Sequence, residues 1–156
     1  YSVRPGIGLY GISPNPRLAS SEALIPALSW KTRVLTLKSI KTGDTVGYGR
    51  TYTAKKREKI ATLSIGYADG LPRLLSNEGY VILGGRKVAI RGRVSMDLTA
   101  IDCTLMPSVR EGSLVTLIGK EGKHEITAWD LANWARTIPY EILCGISSRV
   151  PRIYLN

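Results

Sequence analysis

Phenylalanine is absent from this chain, histidine occurs once and cysteine twice in 156 residues. A lone His124 cannot build a protein zinc site with Cys103 and Cys144, which have neither CxxC spacing nor further imidazoles beside them, so no metal is expected. The two cysteines read as buried thiols in a reducing, cytoplasmic compartment. Long apolar runs are missing too. Stretches such as Leu114 to Ile118 fall far below the ~18 residues of a membrane helix, and no charged-then-apolar leader opens the sequence, so no span or targeting segment is expected. GxSxG, P-loop and dinucleotide fingerprints are absent, and the Ser, His and Asp residues lack any triad context.

Acidic residues are scarce: 12 against 22 Lys and Arg, for a net charge of +10. Lys55, Lys56, Arg57 and Lys59 cluster, as do Arg86, Lys87, Arg91 and Arg93, which raises a basic binding module for nucleic acid or an anionic ligand. No aromatic stacking pattern accompanies either cluster. A solvated surface or the field of a small anionic ligand is therefore the better reading. A 44% hydrophobic content at this length supports one compact core.

The opening, Tyr1 to Gly11, is short, apolar and glycine-punctuated, and gives way to the breaker cluster Ser13-Pro14-Asn15-Pro16. It reads as a strand without partners, at the tail of a larger, missing domain. From Leu28 to Ile40 a β-branched run predicts a long strand ending at the Lys41-Thr42-Gly43-Asp44 turn. Further strands are expected at 59–65, 80–83, 87–90, 98–103 and 114–118, with turns at Gly84-Gly85, Arg91-Gly92 and Glu111-Gly112. This spacing predicts a β barrel or sandwich. A helix should start at Thr127, capped with Asp130, and carry Leu131, Trp134, Ala135 and Ile138 on one face. Trp129 and Trp134 are read as core packing. A second short helix is expected from Tyr140 to Ile146, then a final edge strand over Arg149 to Tyr154.

Chemistry concentrates where tyrosines meet glycines. In Val46-Gly47-Tyr48-Gly49 the flanking glycines strip side-chain cover from the phenol and let a ligand approach it. A phenol near its ordinary pKa of ~10 works as acid or base only beside a cation. Gly66-Tyr67-Ala68-Asp69-Gly70 places a second tyrosine at a turn, where Asp69 is read as a turn-closing side chain. Gly92-Arg93-Val94-Ser95-Met96-Asp97 sets a cation, a thioether and a carboxylate close in sequence.

Taken together, Arg4-Pro5-Gly6-Ile7 with Tyr10-Gly11, Val46-Gly47-Tyr48-Gly49-Arg50-Thr51-Tyr52, Ile65 to Gly70, Gly92 to Asp97, and Tyr140-Glu141 with Arg149-Val150-Pro151-Arg152 resemble the alanine racemase family in order and spacing, over nearly the whole chain. The resemblance implies a mainly β, alanine-racemase C-terminal-type barrel or sandwich with one or two short helices, preceded by a remnant of a (β/α)8 barrel. Residues 1–14 would be the last strand of a barrel that binds pyridoxal phosphate through a lysine, 15–27 a linker, and 28–156 the carboxy-terminal β domain. That domain closes the site of the other subunit in a head-to-tail homodimer.

By the same resemblance Tyr48 matches the acid/base that works on L-alanine, Met96 the residue whose backbone lies against the substrate carboxylate, and Tyr67 the tyrosine narrowing the entryway. Arg93 and Asp97 resemble a polar layer behind it. Arg4 matches the arginine that bonds the cofactor's pyridine nitrogen. Because arginine cannot readily give up its proton, the ring nitrogen stays unprotonated and the cofactor is a restrained electron sink. Gly6 and Ile7 match backbone donors to the cofactor phosphate. Ser148 stands where some members carry a phosphate-contacting tyrosine, leaving more room beside the substrate side chain. The implied activity is interconversion of L- and D-alanine for peptidoglycan precursors, with an alanine/serine racemase or a non-catalytic basic module as alternatives.

Overall fold

The structure is a computed structural model describing residues 1–15 and 24–155. Among these residues are nine strands and two α-helices: β1 Trp30–Ile40, β2 Thr45–Val46, β3 Tyr52–Thr53, β4 Glu58–Leu63, β5 Tyr80–Leu83, β6 Arg86–Ala89, β7 Thr99–Asp102, β8 Leu114–Glu121, β9 His124–Ile126, α1 Ala128–Ala135 and α2 Pro139–Gly145. The principal sheet is antiparallel in the order β6-β5-β8-β1-β4-β7, with β9 added to β8. Its two end strands meet. A bridge pairs Ile90, just after β6, with Ile101 of β7, and the Arg91 N–H donates to the Ala100 carbonyl at 2.9 Å, so the sheet closes into a barrel.

The length of β1 makes closure possible. Its first residues, Trp30 to Arg33, pair with β8, and Val34 to Ile40 pair with β4, with register shifts between Trp30 and Lys31 and between Val34 and Thr36. Shifts of this kind bend a strand and let it serve two neighbours. Trp30, Thr32 and Val34 alternate into the core, which also holds Leu63, Ile82, Leu83, Ile90, Ile101 and Leu117. α1 closes the core with Leu131, Ala132 and Ala135. The Thr127 hydroxyl accepts from the Asp130 amide while the Asp130 carboxylate accepts from the Thr127 amide, the capping box expected there. A second, smaller cluster of Ile40, Ala54 and Ile60, flanked by Val46, underlies the β2–β3 hairpin.

Four expectations fail. The opening segment is a 3-10 helix over Gly6–Tyr10, not a strand, because Gly6 and Gly11 take positive φ of 57° and 69° and wind the chain. Residues 149–154 form no strand: Arg152 turns back to donate to the carbonyls of Ile146, Ser147 and Val150. Ile138 lies beyond α1, exposed as the N-cap of α2, since Arg136 ends α1 in a left-handed conformation. Cys103 is buried but Cys144 is exposed on α2. Most of the expected linker, 16–23, lies outside the described residues.

Candidate active site

Tyr48 projects from a turn held at both ends. Below it, Thr45 pairs with Thr53 and Val46 with Tyr52, while the Asp44 carboxylate caps the Lys41 amide at 2.8 Å. Gly47 (φ 72°) and Gly49 (φ 70°) place Tyr48 in a 3-10 turn, 73% exposed. Both glycines also lie close to Arg93. A Cβ on Gly47 would lie 3.1 Å from the Arg93 amide nitrogen, and one on Gly49 3.2 Å from the Arg93 guanidinium carbon. Across the gap, a Cβ on Gly92 would stand 2.6 Å from the Val46 carbonyl oxygen. The Tyr48 turn and the Arg93 loop therefore meet backbone to backbone. Together with Ser95 and Leu98 they line a concavity of about 500 Å³.

The Tyr67 turn docks on the far end of that loop. The Tyr67 and Ala68 amides donate to the carbonyls of Ser95 and Met96, each at 2.9 Å, and a Cβ on Gly66 would overlap both carbonyl oxygens. With its carbonyl engaged by Ala68, Met96 has an amide with no hydrogen-bond partner among the described residues. Asp69 accepts from the Gly66 amide at 2.9 Å, the local turn-closing role expected of it, and also takes the Arg149 Nε at 3.0 Å. Arg149 reaches on to Asp97 at 2.6 Å. Asp97 is thus paired with Arg149 rather than with Arg93.

The remaining candidates form a second group. Arg4 is exposed, Ile7 is buried, and the space around Gly6 is open, with nothing within 4 Å of a Cβ placed there. Their segment is tied to the β domain by the Trp129 indole, which donates to the Ser13 carbonyl at 3.0 Å, and by the Ala27 amide, which donates to Tyr10 at 3.1 Å. Among the described residues no hydrogen bond or ion pair joins Arg4, Gly6 or Ile7 to the Tyr48, Tyr67 and Met96 loops. Ser148 is exposed at the edge of the first group: its neighbour Ser147 donates its amide to the Asp69 carbonyl at 3.1 Å.

Three supports escaped the sequence reading. The Ser76-Asn77 corner accepts the Gly92 and Val94 amides, at 2.6 and 2.9 Å. Arg149 clamps two carboxylates that lie 28 positions apart in the chain. Behind the hairpin, the Tyr52 hydroxyl donates to the buried Glu58 at 2.7 Å, and Arg91 stacks over the Tyr52 ring while pairing with Asp102 at 3.1 Å. Burial and the Glu58 bond push the Tyr52 phenol up to about 12, against the opposing pull of Arg91. Burial acts to raise the Asp102 carboxyl, but hydrogen bonds from Thr104 and the Arg91 cation outweigh it and hold the group below its ordinary value. Only the left-handed tolerance of asparagine before Glu78-Gly79 hints at the first of these in sequence. Arg91 is turned inward to Tyr52 and Asp102, so the second basic cluster is not a continuous free patch.

Residues 27–154 match the family described as alanine racemase, C-terminal domain. This chain belongs to that family. It is 54% identical to the alanine racemase of Halothermothrix orenii over 154 residues, which is 99% of this chain and 41% of that protein. A crystal structure of alanine racemase from Bacillus anthracis with bound L-Ala-P superposes with a TM-score of 0.91 at 43% identity, covering 97% of this chain and 39% of that one. Alanine racemase from Bartonella henselae, with covalently bound pyridoxal phosphate, does so at 0.88 and 36%, covering 96% and 40%. The chain spans about 40% of the length of these alanine racemases. The mainly β barrel or sandwich with one or two short helices expected from the sequence agrees with these alanine racemase structures.

Proposed function

We propose that this domain supplies part of the active site of a pyridoxal-phosphate-dependent alanine racemase, working as a cytoplasmic homodimer that feeds D-alanine to peptidoglycan precursors. The observation that carries the reading is the exposed Tyr48, held between two glycines with the Arg93 guanidinium packed against its turn. A phenol free of side-chain cover, with a guanidinium beside its turn, is suited to hold and move a proton at its oxygen. Met96 contributes an amide with no hydrogen-bond partner among the described residues, fit to orient a substrate carboxylate. Tyr67 and the Asp69–Arg149–Asp97 clamp narrow and steady the approach.

The residues present fit the cofactor. Gly6 and Ile7 open a 3-10 helix whose first amides have no acceptor among the described residues, and the exposed Gly6 leaves open space beside its own amide for a phosphate oxygen, while Ile7 is buried. Arg4 supplies donors alone, with no acceptor to offer a ring nitrogen. When bound, pyridoxal phosphate withdraws electrons from the α-carbon and so acidifies its proton. That no hydrogen bond or ion pair among the described residues joins this group to the Tyr48 loops is in keeping with sites shared head to tail between subunits. The full-length protein, incubated with pyridoxal phosphate and L-alanine, should form D-alanine as read by a D-amino-acid oxidase assay. No D-alanine at saturating cofactor would overturn the reading.

A further inference from the structure

The Tyr48 turn and the Arg93–Met96 loop share no strand pairing; the β2–β3 hairpin is a two-stranded sheet of its own. Arg50 takes a positive φ of 50°, a shape costly for a residue with a Cβ, so the turn gains from a hold outside it. Asn77 provides it. Its Oδ1 accepts the Gly92 amide at 2.6 Å, and its Nδ2 donates to the Thr51 hydroxyl at 3.1 Å and to the Thr51 carbonyl at 3.4 Å. An amide N–H only donates and a carbonyl only accepts, so these partners fix which way the side-chain amide points. Thr51 directly follows the Tyr48 turn, and Gly92 directly precedes Arg93.

The neighbouring Ser76 hydroxyl takes the Val94 amide at 2.9 Å, so two alternate amides of the Arg93 loop are gripped from one corner. Asn77 itself sits at φ 61°. The position therefore asks for a residue that accepts, donates and tolerates the left-handed region. Asparagine meets all three demands, aspartate lacks the donor and glycine lacks both bonds.

We propose that Asn77 is a positioning residue for Tyr48, setting the aim of the phenol over the Arg93–Met96 loop without touching substrate. The inference rests on the reading of Tyr48 as the proton carrier for L-alanine. If the bridge is cut, the turn stays folded on Val46 and Tyr52 but the phenol loses its fixed approach to one face of the substrate. Proton transfer on the opposite face, which would belong to a lysine outside this chain, is untouched.

The test is solvent deuterium incorporation into L-alanine and D-alanine, measured separately by NMR in the full-length holoenzyme for Asn77→Asp, Asn77→Gly and Tyr48→Phe. Both Asn77 variants keep a residue that accepts the left-handed backbone. Exchange into L-alanine should fall about 10- to 100-fold while exchange into D-alanine changes by less than about threefold, the scale of a displaced reacting group. Asn77→Gly should show the larger loss. Equal losses for the two enantiomers, or none, in the Asn77 variants would overturn the inference while the Tyr48 reading stands on its own variant. If Tyr48→Phe itself loses both equally, the Tyr48 reading fails and this inference falls with it.

Discussion

Gly66 and Met96 touch through their backbones: the Met96 carbonyl oxygen occupies the space a Cβ on Gly66 would need, with the Ser95 carbonyl oxygen beside it. Because the obstructing atoms are backbone, no rotamer change can relieve the overlap. Gly66→Ala should therefore cost on the order of 1–3 kcal/mol or more. A urea midpoint equal to that of wild type would show that the Tyr67 turn is not docked as described.

Tyr48→Phe keeps the ring and removes the atom proposed to carry the proton. Each direction of racemisation needs one proton removed on one face and returned on the other, so both directions should collapse together. Exchange of the D-alanine α-proton with solvent should survive in part, and exchange from L-alanine should be lost far more severely. Heavy-water NMR on the two enantiomers separates these outcomes. The role assigned to Tyr48 is wrong if the two exchange rates fall equally or the D-alanine rate falls alone.

Much of the barrel was legible because its signals are local. The β-branched run of β1 and the Thr127–Asp130 capping box each state their structure within a few residues. The opening and closing segments misled for the opposite reason. Both are apolar enough for strands, but whether a strand forms depends on a partner edge, and glycine conformations and the Arg152 hydrogen bonds turn these segments back on the fold instead. Strands β2, β3 and β9 have two or three residues each, too few for alternation to register. Among the candidate site residues, Tyr48, Tyr67 and Met96 are marked by adjoining glycines or motif order, whereas Asn77 and Arg149 act through partners that only folding brings near.

Ser148 is exposed next to Arg149 of the Asp69–Arg149 clamp, and under the proposed function a larger side chain there would take up room beside the substrate. In the full-length enzyme, Ser148→Tyr should lower serine turnover relative to alanine, by ~1–3 kcal/mol in transition-state discrimination. Steady-state kinetics on both substrates give the ratio. An unchanged or raised serine-to-alanine ratio would remove Ser148 from the substrate pocket.

Alkali should find Tyr52. An unfolded phenol ionises near ~10, while Tyr52 in the fold keeps its proton up to about 12. Its contribution is therefore fully present below the first value and is lost as pH climbs towards the second, since there the unfolded chain has shed a proton that the folded chain retains. Tyr52→Phe should flatten this alkaline loss of stability. At neutral pH it should cost ~1–3 kcal/mol, because the buried Glu58 carboxylate loses its donor. Denaturant unfolding at a series of alkaline pH values checks both, and parallel pH profiles for the two proteins would contradict the assignment.

Among the described residues no hydrogen bond or ion pair joins the Arg4–Ile7 turn to the Tyr48 loops, and the proposed sharing of sites between subunits has a genetic consequence. If each site draws one group from each subunit, a chain defective in Tyr48 and a chain defective in Arg4 do not fail in the same place. Their hybrid dimer concentrates both lesions in one site and leaves the other whole. Two alleles that are each null alone should then complement when expressed in one cell, while a single chain carrying both changes complements neither.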